Sequence, residues 1–228
     1  MNTARVAPEN VNIDTLPYFF QSVITMAMNS MKNNPLVFGV GINDSNYPVT
    51  QYTRENGKAK LTWVCPFYRA WKNMLNRCYG SSYQVKRPSY KGCQVCTEWL
   101  TFSNFKTWMI SQDWRNKNLD KDLLIQGNKI YSPETCIFVD HIVNSFVLDS
   151  AKSRGKYPLG VNWNTESRKF LSRCRNPFTG KSDHLGYFED ESEAHLAWKK
   201  RKHELACQLA ELCSDSRVAD NLRQRYAS

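Results

Sequence analysis

Asn162, Asn164, Arg173, Arg175 and His184 stand in three short strand-like runs, and their side chains suit hydrogen bonding to base edges, with Arg the usual reader of guanine. Strand side chains alternate between two faces. In Lys169-Phe-Leu-Ser-Arg-Cys-Arg175, Phe170, Ser172 and Cys174 therefore share one side, and Lys169, Leu171, Arg173 and Arg175 share the other. The first side can pack; the second must meet water or phosphate. A different chemistry is suggested by Cys93 and Cys96, whose C-x2-C spacing is half of a zinc site. Cys65, Cys78 and Cys136 are the complements in the same block, but no second C-x2-C and no His pair selects four ligands. Structural zinc is possible but not favoured over cysteines acting as small buried hydrophobes.

The elements that must position these residues follow from periodicity and turn chemistry. The runs at 158–163, 169–175 and 184–188 are separated by Thr165-Glu-Ser167 and Asn176-Pro-Phe-Thr-Gly180, which have the content of hairpin turns. A helix starting at Ser192 follows, with Ala194, Ala197, Trp198, Leu205, Leu209 and Leu212 on its apolar side and Lys199, Lys200 and Lys202 projecting elsewhere. The expectation is an α+β fold in which one helix covers a three-stranded antiparallel sheet. Upstream, Phe67, Trp71, Met74, Leu75 and Cys78 recur at helical spacing and Gly80 stops the pattern, predicting a helix over 66–79. Residues 118–122 and 127–139 read as strand, turn, strand, with Tyr131 and Cys136 packed.

The N-terminal part, 1–60, is expected to hold a helix over 16–31 and a hairpin of 36–42 with 47–52 about Asn43-Asp-Ser-Asn46, with 54–60 as a polar loop. The predicted domains are then 1–60, 61–150, 157–213 and a helical tail at 214–228, where Val218, Leu222 and Tyr226 share a face suited to self-association. A short basic linker at 151–156 joins the middle two.

With 31 Lys+Arg against 21 Asp+Glu, the formal charge of +10 favours a polyanionic partner. Aromatic-rich strands interleaved with Arg favour nucleic acid over lipid. The apolar run at 16–31 is broken by Gln21, Ser22, Asn29 and Ser30 and has no basic leader, which excludes a spanning helix or export signal there. The eight cysteines are therefore expected reduced, in the cytoplasm. No glycine-rich phosphate loop and no internal repeat is present.

Leu159-Gly-Val161, Lys169-Phe170, Arg175, Leu185-Gly-Tyr-Phe188 and Glu193-Ala-His-Leu-Ala-Trp198 resemble the plant ethylene-response-factor (Apetala-type) DNA-binding domain, which also occurs in phage and bacterial homing endonucleases. The resemblance implies a sheet inserted into the major groove of double-stranded DNA. It places Asn162, Asn164, Arg173, Arg175, Ser182 and His184 at base- and phosphate-contacting positions. The family often has Arg or Trp where this chain has Asn162, Asn164, Ser182 and His184, so no target sequence carries over.

Trp71-Lys-Asn-Met-Leu-Asn-Arg-Cys-Tyr79, Val95-Cys-Thr-Glu-Trp99, Leu119-Asp-Lys-Asp122 and Tyr131-Ser-Pro-Glu-Thr-Cys136 resemble landmarks of phage and bacterial HNH nucleases. That resemblance implies a ββα-metal unit binding magnesium or another divalent cation. Asp120 matches the metal-binding Asp, with Asp122 beside it, and Asn128 lies near the middle Asn. Two positions depart: Lys121 stands at the general-base His, and Thr135 where a further Asn is common. A Lys with its ordinary pKa of about 10.4 is protonated at neutral pH and is a poor base. His141, in Asp140-His-Ile-Val-Asn144, is a second candidate base, against the alternative of a surface residue at a helix start.

Together the resemblances imply a degenerate HNH block joined to an Apetala-type domain in a phage or mobile-element protein. Two functions are expected of such a chain: metal-dependent cutting or nicking of DNA, or a catalytically inactive DNA-binding regulator or host-takeover protein on the same scaffold. A homodimer and a host protein stay open as partners; a membrane is not expected.

Overall fold

The computed structural model describes residues 35–148 and 156–227. The helix expected over 16–31 and most of the linker at 151–156 lie outside the described residues. In chain order the elements are β1 (Thr50–Glu55), β2 (Lys58–Val64), α1 (Pro66–Tyr79), α2 (Ser81–Lys86), β3 (Gln94–Val95) and α3 (Phe102–Ile110). There follow β4 (Asn118–Asp120), β5 (Ile130–Tyr131), β6 (Ile137–Val139), α4 (His141–Val147), β7 (Val161–Asn164), β8 (Lys169–Arg175), β9 (Ser182–Phe188), α5 (Glu191–Ala210) and α6 (Ser216–Arg225). The fold is mixed α and β, with three two-stranded sheets and one three-stranded antiparallel sheet among the described residues. The described residues divide into two compact units, 35–89 with 97–105, and 90–96 with 106–148 and 156–227.

In the first unit, α1 begins at Pro66, which needs no N–H partner in the first turn. Its apolar stripe of Trp71, Met74, Leu75 and Cys78 is buried, and the Trp71 indole Nε1 donates to the Trp99 carbonyl at 2.6 Å. The hairpin of this unit lies further along the chain than the sequence reading placed it. β1 pairs with β2 through a turn at Asn56 and Gly57, both at positive φ, so the stretch read as a polar loop is the hairpin tip. Asn-Gly is the dipeptide a primed two-residue turn requires. The alternation that marks most strands fails here because residues 51–63 are exposed on both faces.

In the second unit, β3 pairs with β5 in parallel and β4 with β6 antiparallel, and β7, β8 and β9 form the three-stranded sheet in that order. One core runs from Leu123, Ile137, Val139, Val143 and Phe146 through Trp198, Leu205 and Leu209 to Val218 and Leu222. The boundaries drawn at 150/157 and 213/214 therefore divide one packed body. The physical reason is that the apolar stripes of α4, α5 and α6 are buried in one shared core. The face of α6 expected to serve self-association is buried in this core, Leu222 completely. Lys202, expected to project from α5, is 9% exposed, and its Nζ donates to the Phe146 carbonyl at 2.7 Å.

Candidate nucleic-acid interface

The three-stranded sheet has one sealed and one open face. On the sealed face, Val161, Ser172 and Cys174 are buried, and Ser172 Oγ donates to the Ala194 carbonyl of α5 at 2.7 Å. The helix is started by Asp190, whose carboxylate accepts the Ser192 and Glu193 N–H groups; those backbone bonds hold its pKa below the usual carboxylate range. At the other end of the contact, the His195 ring nitrogen Nδ1 lies 2.9 Å from the Leu159 carbonyl, and the imidazole stacks on Trp198. Gly160, at φ +78°, brings the backbone against the Trp198 indole, where a Cβ would collide with ring atoms.

Register fixes the open face. Asn162, Leu171 and Tyr187 form one cross-strand row, Arg173 faces His184, and Arg175 faces Ser182. Arg173, Arg175, Ser182, His184, Asn162 and Tyr187 are all exposed, while Leu171 is the buried floor between Asn162 and Tyr187. Residues two apart on a strand are roughly 6.6 Å apart, close to two base steps of about 3.4 Å, which suits Arg173 and Arg175 to successive contacts along a groove. Beneath the β8–β9 turn, Asn176 Oδ1 accepts the Phe178 N–H at 3.0 Å, and its amide nitrogen lies 3.2 Å from Asp183 Oδ2. Asp183 also pairs with Arg201 at 2.9 Å, so the turn that carries Arg175 and Ser182 is tied to α5.

Five of the six residues expected at DNA contacts therefore lie exposed on one face. The sixth, Asn164, is half-buried at the edge, and its side-chain oxygen is committed to the β7–β8 turn, accepting from Ser167 N–H at 2.8 Å and Ser167 Oγ at 2.9 Å. What it can offer a base is its amide nitrogen. Tyr187 is a member of this face that sequence reasoning missed. Strict alternation from His184 puts Tyr187 on the sealed side, but a bulge at Leu185 and Gly186 shifts the phase, so His184 and Tyr187 share the open face with rings 5.2 Å apart. Gly186 within a strand was the available signal.

The residues matched to HNH chemistry lie at the end of β4 (Asp120), in the β4–β5 loop (Lys121, Asp122, Asn128), between β5 and β6 (Thr135) and at the start of α4 (His141). Asp120 Oδ1 accepts the Asp122 and Leu123 N–H groups at 2.9 and 2.7 Å. Its pKa is raised, first by burial and then by the Asp122 charge. Lys121 is 6% exposed, and its Nζ donates to the Asn128 carbonyl at 2.7 Å and to Asp122 Oδ2 at 3.0 Å. Asn128 returns a bond from Nδ2 to the Lys121 carbonyl at 2.6 Å and also holds Ile130 on both sides. Thr135 Oγ1 donates to the Ile130 carbonyl at 2.7 Å. These side chains clasp the loop. Within this clasp the Lys121 Nζ sits against the Asp122 carboxylate rather than being turned out to solvent.

His141 opens α4 and is exposed, with Ser145 Oγ 3.4 Å from its ring nitrogens, while Asp140 lies 3.8 Å from Lys117 Nζ. Among the described residues no group of three or more His, Cys, Asp and Glu side chains is placed to hold a metal. Cys93 is buried and Cys96 half-buried, and Cys136 is buried with its thiol pushed up to about 12, mainly by burial. Cys65 and Cys78 belong to the first unit. No family model, no curated protein and no solved structure matches this chain. Among the described residues, no helix is long and apolar enough to cross a membrane.

Proposed function

We propose that this chain binds double-stranded DNA and reads its site with the open face of the β7–β8–β9 sheet. The observation that carries the reading is a sheet sealed on one face by α5 whose other face presents Arg173, Arg175, Asn162, Ser182, His184 and Tyr187 to solvent. An exposed, rigidly backed row of Arg, amide and aromatic groups is what base-edge contact needs, and a purely solvated face would not require the aromatic residue. Selection of a preferred duplex from a random library, followed by titration of variants, tests it. Arg173→Ala and Arg175→Ala should each weaken binding to the selected site by about 1 to 3 kcal/mol and relax the preference at one position. Equal loss on every sequence would reassign those arginines to phosphates, and no loss on any would remove the sheet from the interface.

A second reading is favoured by one observation: β4 pairs antiparallel with β6, and α4 follows β6 directly, with Asp120 at the end of β4, although β5 intervenes in the chain and pairs elsewhere. That order supports an HNH-type scaffold. The clasp around Lys121 supports its non-catalytic form, a DNA-binding regulator, over an endonuclease.

A further inference from the structure

The positive charge of this chain is not concentrated where the sheet is. From Tyr157 to the C-terminus, 12 Lys and Arg are set against 10 Asp and Glu. Between Asn56 and Thr97 there are eight Lys and Arg and no carboxylate at all. This segment contains the tip and second strand of the β1–β2 hairpin, and its sign continues into α1, where Arg69 and Lys72 are exposed.

We infer that the β1–β2 hairpin is a second double-stranded-DNA contact of this chain, a two-stranded ribbon that enters the major groove independently of the three-stranded sheet. The inference rests on the reading of the chain as a DNA-binding protein. Three features support it. Every residue from Gln51 to Trp63 is exposed, so the ribbon presents both faces and both edges to solvent. The major groove, about 12 Å wide, admits a two-stranded ribbon. The side chains are of the type that works there: Arg54, Lys58 and Lys60 surround the Asn56-Gly57 tip, and Tyr52, Leu61 and Trp63 stay exposed at 60%, 49% and 41%.

The chemistry divides between the two kinds of residue. Tyr52 and Leu61 face each other across the strands, and Arg54 stands two residues on from Tyr52, so apolar and cationic groups share one face. That face can meet thymine methyls with its apolar part and phosphates with its cation. On the opposite face Lys60 is paired with Glu55 at 2.7 Å, but both are more than half exposed, so the pair is weak and a phosphate can displace the carboxylate. Charge favours a polyanion over a protein partner of ordinary composition: the hairpin carries Arg54, Lys58 and Lys60 against the single carboxylate of Glu55, and the acid-free segment that starts at its tip adds six further cations by Lys91.

The test uses the full chain on duplexes of several sequences over a range of salt. Arg54→Glu with Lys58→Glu should lower affinity on every duplex alike and reduce the slope of log K against log salt by about 2. Arg54→Gln with Lys58→Gln should do the same with a smaller drop, and serves if the reversed charges disturb the fold. An unchanged slope and affinity in both variants would overturn the inference. So would unchanged DNA binding with a shift in oligomeric state by sedimentation, which would make the ribbon a contact between copies. Loss on the hairpin variants with no effect of Arg173→Ala and Arg175→Ala would retain the ribbon and remove the sheet reading. Absence of binding by the wild-type chain to any duplex would overturn both.

Discussion

Lys121 is the residue on which the choice between chemistry and binding turns. Its Nζ is spent on the Asn128 carbonyl and the Asp122 carboxylate, so it is not placed to take a proton from an attacking water. Asn128 completes the clasp: its amide spans the Lys121 and Ile130 carbonyls and closes the loop. The expected outcome is that the purified chain, given supercoiled plasmid with magnesium or manganese, binds in a salt-sensitive manner and leaves the plasmid intact. Nicking that depends on metal and disappears in Asp120→Ala would reverse this and restore the endonuclease.

At the level of elements, the packing of α5 against the start of β7 decides whether the open face is presented at all. Gly160 holds φ +78° directly against Trp198, whose indole is in turn stacked by His195. Gly160→Ala should lower the stability of the second unit by about 3 kcal/mol, combining left-handed strain with overpacking. Thermal unfolding measures it; an unchanged melting temperature would mean the strand moves away freely and that α5 does not set its position. Much of this element was legible beforehand. Trp71, Met74, Leu75 and Cys78 announced α1 by their spacing, and the turns about Thr165 and Asn176 announced the sheet. Two features were not legible because they break the alternation on which strand reading depends. The β1–β2 hairpin has no buried face to imprint a pattern, and only Asn56-Gly57 marked it. In β9 the bulge at Leu185 and Gly186 moved Tyr187 to the open face. The clasp of Lys121 with Asn128 was hidden for another reason: two residues seven apart in an irregular loop meet only through backbone carbonyls, which a sequence does not display.

Across the whole molecule, the boundary drawn in sequence near 150 vanishes inside the core of the second unit, and Lys202 is where this can be measured. The residue is buried on α5, and its Nζ sits 3.3 Å from the centroid of the Phe146 ring and 5.3 Å from that of Tyr226. Burial lowers its pKa from 10.5 to about 8, with Cys174 opposing and Arg225 adding to the shift. Below pH 8 both folded and unfolded chains carry the ammonium, and the fold bears the full penalty of burying it. Between about pH 8 and 10.5 the folded chain has lost the proton while the unfolded chain keeps it, so the unfolded state binds more protons and stability rises with pH. The gain across that window is up to about 3 kcal/mol, and it should be absent in Lys202→Met, which keeps the stem without the charge. Comparing wild type and variant by urea unfolding at pH 7.5 and 9.5 isolates this residue from the others that titrate there. Parallel changes in the two proteins would mean that the ammonium reaches water and that the segments around residue 150 separate more readily than their shared core implies. Convergence of the two at pH 9.5 would identify the buried cation as the weakest joint between α4, α5 and the end of α6.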